Sequence, residues 1–93
     1  MVQKNGRRVT FVFTPGSKIS NAFLVGSFNN WNTAADPMQR MSDGTFRKSK
    51  RLDPGRHEYK FYADGLYWND AEAEAQMLND YGTLNSVVTV NGQ

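Results

Sequence analysis

Turn chemistry interrupts this chain roughly every 8–12 residues, and no other feature constrains its fold as much. Pro15-Gly16-Ser17, Ser42-Asp43-Gly44, Asp53-Pro54-Gly55, Asp64-Gly65 and Tyr81-Gly82-Thr83 punctuate the sequence, leaving only short segments between them. Most of these segments have strand composition. Val9 to Thr14 is β-branched and aromatic, and the two-residue period puts Val9, Phe11 and Phe13 on one face. Ala22 to Gly26 reads as a second, mostly buried strand. Thr45 to Leu52 alternates small or apolar residues with basic ones, as an edge strand would. In Arg56 to Ala63, alternation sends His57, Tyr59, Phe61 and Ala63 one way and Glu58, Lys60 and Tyr62 the other. Asp64-Gly65 is a hairpin signal, with Leu66-Tyr67-Trp68 beginning the return strand. Leu84 to Val90 is the last strand.

Two stretches depart from this pattern. Ser27 to Pro37 is polar and Asn-rich and reads as a loop carrying Phe28 and Trp31. Asp70 to Leu78 has good helix propensity over barely two turns and is expected to be a loop with one helical turn. The tail Asn91 to Gln93 is expected to fray. Together the elements predict an all-β, antiparallel β-sandwich, a single domain over residues 1–93 with its core from about 9 to 90.

A domain of 93 residues has little room for a deep catalytic cleft beside a complete core. The outer face of a sheet is an easier place for function. There is no cysteine and one histidine, His57, so the usual metal clusters are absent and no metal or cofactor is expected. His57 falls on the inward face of its strand and reads as structural. Asp64, Asp70, Glu72, Glu74 and Asp80 form an acidic stretch of the kind that is usually solvated, rather than a catalytic pair. Eleven basic and nine acidic residues give a net charge of +2, which does not call for a nucleic-acid partner. No apolar run approaches the roughly 20 residues of a membrane helix, and residues 1–8 lack a signal peptide's apolar core. The expectation is a soluble, cytoplasmic, non-catalytic chain that engages no membrane.

Aromatic residues make up 13% of the chain, more than so small a core easily hides, so some rings should be exposed for recognition. Trp31, flanked closely by amide side chains, either caps one end of the core or stands out as a flat platform. Tyr67 and Trp68 are adjacent on a strand, so one points inward and the other out. Lys60 lies on the face away from the core. Such a set suits a sugar: a pyranose presents an apolar C–H face to an aromatic ring, while Lys, Asn and Thr bond to its hydroxyls.

Gly26-Ser27-Phe28-Asn29-Asn30-Trp31, then Glu58-Tyr59-Lys60-Phe61-Tyr62-Ala63-Asp64-Gly65, then Gly82-Thr83-Leu84-Asn85-Ser86-Val87-Val88-Thr89-Val90 occur in that order. With this series the chain resembles the carbohydrate-binding modules of family forty-eight. That family includes the glycogen-binding domain of AMP-activated protein kinase and the N-terminal domains of branching and isoamylase-type enzymes. The resemblance implies an immunoglobulin-like sandwich of the early set and an α-1,4-glucan ligand such as glycogen, starch or a maltooligosaccharide. It also implies roles for particular residues. Trp31 would stack on glucose and Lys60 would bond to hydroxyls. Tyr67 would be the second stacking ring, with Trp68 as the alternative if the hairpin register differs. Thr83 and Asn85 would add hydrogen bonds, and Tyr81 would wedge against the chain. The sequence departs from the family where Asp70-Ala71-Glu72-Ala73-Glu74-Ala75 stands in place of Asp-Pro with further prolines, and in carrying Tyr rather than Trp at position 67. A second reading, a domain that docks on a catalytic domain or partner without binding sugar, uses the same apolar face.

Overall fold

A computed structural model describes residues 1–91; of the tail expected to fray, Gly92 and Gln93 lie outside the described residues. The described residues form nine strands in two antiparallel sheets. The first sheet runs β1 (Val2–Asn5), β2 (Arg8–Phe13), β5 (Phe46–Arg51), β4 (Gln39–Arg40). The second runs β3 (Ala22–Gly26), β6 (Gly55–Ala63), β9 (Leu84–Val90), β8 (Ala75–Leu78), with β7 (Leu66–Trp68) also paired to β6. This is the antiparallel β-sandwich expected from the turn spacing.

The alternation read from the sequence decides what lies between the sheets. Val9, Phe11 and Phe13 face Tyr59, Phe61 and Ala63, and all six are buried. Phe13 stacks on Phe61 with ring centroids 4.8 Å apart, and Phe11 meets Tyr59 edge-on at 4.9 Å. Each fully buried ring of this kind contributes about 1.5–3 kcal/mol relative to exposure. Leu24, Phe46, Leu52 and Val88 extend the core, together with Ile19, Ala22, Met38 and Val90.

The nine-residue β6 organises the second sheet. Along one edge it pairs with β3, from Tyr59 to Ala63. Along the other edge its first half pairs with β9, ending at Tyr59↔Ser86, and its last three residues pair with β7, starting at Phe61↔Trp68. The partner therefore changes at Lys60, and the sheet splits there. Asp70, which is buried, fills the split: it accepts a hydrogen bond from the Tyr59 hydroxyl at 2.7 Å, and its own N–H donates to Ser86 Oγ at 2.9 Å. The expectation of a solvated acidic stretch fails at this residue. Burial pushes the Tyr59 phenol up, and the hydrogen bond to the Asp70 carboxylate adds to the shift.

Two further expectations are corrected, and one strand was not anticipated. Asp70 to Leu78 carries no helical turn; its second half is strand β8, paired from Ala75↔Val87 to Leu78↔Leu84. The hydrogen-bonding edge of β9 overrides a helix propensity too short to nucleate alone. Residues 2–5, which have little apolar signal, form β1 against β2. β5 is open along most of one edge, as expected, but β4 covers its first two residues. The Asp64-Gly65 turn is a two-residue hairpin with φ of 48° and 82°, the left-handed pair of a type I′ turn.

Candidate functional site

The outer face of the second sheet carries a broad, open concavity of about 1160 Å³ at the split beside Lys60. That exceeds a typical small-molecule pocket of about 300–1,000 Å³ and suits an extended ligand. Trp31, Lys60, Tyr67, Trp68, Tyr81, Thr83 and Asn85, the seven residues singled out from the sequence, all border it.

Trp31 reaches this position through the turn after β3. Ser27–Asn29 is a single 3-10 turn, and Asn30 and Trp31 are both left-handed, with φ of 56° and 58°. Asn tolerates that region; for Trp it is strained by about 1–3 kcal/mol and must be held by its surroundings. The Trp31 N–H closes the turn onto Gly26 O at 2.9 Å. Asn29 Oδ1 accepts from Gly26 N–H at 3.0 Å, and its Nδ2 donates to Leu24 O at 3.0 Å and to Asp36 at 2.7 Å. Asp36 is buried and also takes a bond from Lys50 of β5 at 2.8 Å, which ties the Trp31 turn to the opposite sheet. Burial pushes the Asp36 carboxyl up, but the bonds from Lys50 and Asn29 outweigh it and hold it below the usual carboxylate value. Trp31 itself is half-buried and stands outside the hydrophobic core.

The hairpin register separates Tyr67 from Trp68. Trp68 pairs with Phe61 and shares its inward face; its ring lies 5.8 Å from Phe13, and Nε1 donates to Ala63 O at 3.2 Å. Tyr67 pairs with Tyr62 on the outer face, is 57% exposed, and lies 4.9 Å from the Tyr62 ring. Lys60 Nζ is 5.9 Å from the Tyr67 ring centroid, within cation–π reach. Trp68 only borders the concavity, and the exposed ring of the pair is Tyr67.

The third wall is the β8–β9 turn. Tyr81 stands at its tip, 92% exposed. Thr83 Oγ1 accepts from Lys60 Nζ at 3.1 Å, which bridges β6 to the turn across the split. Asn85, on β9, donates to Glu58 Oε1 at 3.1 Å. Sequence reasoning missed Asn79, which ties this turn together, and Glu58, Met77 and Leu78, which also border the site. An Asn three residues before the turn glycine is the signal that could have found Asn79, since Asn side chains commonly close such turns. Among the described residues no three His, Asp or Glu side chains come together to hold a metal ion.

A β-sandwich with exposed rings and a polar rail around a shallow sheet-face concavity defines a carbohydrate-binding domain. Residues 8–93 match the family described as the glycogen recognition site of AMP-activated protein kinase, and the chain belongs to that family. It is 37% identical over 84 residues to the beta-1 subunit of 5'-AMP-activated protein kinase from Bos taurus, covering 90% of this chain and 29% of that protein. It is 39% identical over 71 residues to Protein FLOURY ENDOSPERM 6, chloroplastic, from Oryza sativa subsp. japonica, covering 76% of this chain and 13% of that protein. The chain thus spans less than a third of the length of either relative.

Proposed function

We propose that the chain binds α-1,4-glucan without chemical change, Trp31 and Tyr67 stacking on glucose faces, Tyr81 wedging against the chain, and Lys60, Thr83 and Asn85 supplying hydrogen bonds. The observation that carries this reading is convergence: side chains from the β3 turn, β6, β7 and the β8–β9 turn, distant in sequence, open onto one concavity. Membership of a glycogen-recognition family supports the choice of glucan among sugars. The neutral ligand agrees with the small net charge of +2. A shallow open site should bind with a dissociation constant in the micromolar to millimolar range, about −8 to −4 kcal/mol. The test is affinity electrophoresis through gels containing glycogen, with Trp31→Ala beside the wild type. Retardation of the wild type that is lost in the variant is expected. Equal migration of the two, with and without glycogen, would overturn the reading in favour of a docking domain with no sugar affinity.

A further inference from the structure

The Asn79 side chain is fully committed within the protein. Its Oδ1 accepts from the N–H of Tyr81 at 2.9 Å and of Thr83 at 3.1 Å. Its Nδ2 donates to Thr83 Oγ1 at 2.7 Å and to Asn85 Oδ1 at 2.9 Å. An amide has two N–H donors and two acceptor sites, so nothing is left to offer a ligand.

These bonds fix how its neighbours face the concavity. A threonine hydroxyl has two acceptor sites and one proton. Asn79 and Lys60 both donate to Thr83 Oγ1, at 2.7 and 3.1 Å, filling both acceptor sites. The hydroxyl proton is then the one valence Thr83 has to give, and among the described residues it has no protein acceptor. Asn85 is oriented in the same way. Its Oδ1 is held by Asn79, so its amide nitrogen must lie on the other side, where one N–H goes to Glu58 Oε1 at 3.1 Å and one remains. Lys60 spends one N–H on Thr83 and keeps two.

We infer that Asn79 is a positioning residue that sets the hydrogen-bond polarity of the site, presenting Thr83 and Asn85 to the glucan as donors beside Lys60, which can only donate. This rests on the glucan-binding reading above and refines it: the rail reads acceptor oxygens of the sugar, the glycosidic and ring oxygens and hydroxyl lone pairs, rather than hydroxyl protons.

Asn79→Asp isolates this role. The carboxylate still accepts from the Tyr81 and Thr83 N–H groups, so the turn persists. It cannot donate, so the Thr83 proton turns inward to it, and the Asn85 carbonyl oxygen faces a negative charge. The experiment is calorimetric titration with maltoheptaose of the wild type, Asn79→Asp, Thr83→Val and the double variant, with thermal midpoints measured alongside. The expected result is binding about tenfold weaker in Asn79→Asp with little change in thermal midpoint. In the Thr83→Val background the same change should cost clearly less, about threefold, because the part acting through the Thr83 hydroxyl is already gone while the part acting through Asn85 remains. Binding of Asn79→Asp within about twofold of wild type would overturn the inference, as would a full, additive effect in the Thr83→Val background. A wild type that fails to bind maltoheptaose sinks the glucan reading itself, and this inference with it.

Discussion

Removing the Tyr59 hydroxyl tests how the split second sheet is held together. In Tyr59→Phe the ring keeps its edge contacts with Phe11 and Phe61, at 4.9 and 5.9 Å, so packing is preserved. What disappears is the 2.7 Å bond to the buried Asp70 carboxylate. A hydrogen bond to a charged group is worth about 1.5–3 kcal/mol; the Asp70 carboxylate keeps the Met1 ammonium and the Glu72 N–H, but it is only 4% exposed, so water replaces the lost Tyr59 donor poorly. Taking about 2 kcal/mol, and about 4–8 °C of midpoint per kcal/mol for a domain of this size, the expected fall in thermal midpoint is about 8–16 °C by circular dichroism at neutral pH. The same substitution changes the alkaline limb. The folded Tyr59 phenol is raised above its unfolded value near 10. Its contribution is therefore fully present below pH ~10 and is lost as pH rises beyond that, because only the unfolded state releases the proton. The wild type should lose stability more steeply above pH ~10 than Tyr59→Phe. A fall in midpoint of less than about 3 °C, with parallel alkaline limbs, would refute the assignment of Asp70 as the plug of the split.

Two other perturbations address the Trp31 platform. The Asp36 carboxyl is held below its usual value by Lys50 and Asn29, so its contribution is complete above pH ~4 and lost as pH falls through the lowered folded value; Asp36→Ala, followed by glycogen affinity electrophoresis at neutral pH, should weaken binding although Asp36 does not border the concavity. A side chain at Gly26 would place its Cβ 2.6 Å from Glu58 O and 2.7 Å from the Phe28 ring, so Gly26→Ala should lower the thermal midpoint by several degrees, and an unchanged midpoint would mean the Trp31 turn yields more freely than its contacts suggest.

β2 and β6 were legible in the sequence because alternate residues face one core, and a strand with one buried face cannot slip by a residue without exposing it; β3 and β9 were legible as short apolar, β-branched runs bounded by turns. β8 was not, because nothing in Ala75-Gln76-Met77-Leu78 selects a strand; the open edge of β9 does, and that edge exists only after folding. β1 carries a single apolar residue, Val2, and was invisible for the same reason. The rings of the site were legible by type, since large aromatics in turns have few other uses in so small a domain. The choice between Tyr67 and Trp68 was latent in the two-residue Asp64-Gly65 turn, which forces the pairs Tyr62↔Tyr67 and Phe61↔Trp68. The roles of Asn79 and Asp70 were out of reach, because each consists of bonds to residues that only the tertiary fold brings near.

Trp31 and Trp68 are the two tryptophans of the chain, one at the concavity and one turned to the core, so intrinsic fluorescence separates them. Titration with β-cyclodextrin should shift the tryptophan emission of the wild type and of Trp68→Phe, and leave that of Trp31→Phe unmoved. A saturable shift in Trp31→Phe as large as that of the wild type would show that the sugar does not rest on Trp31 and contradict the account.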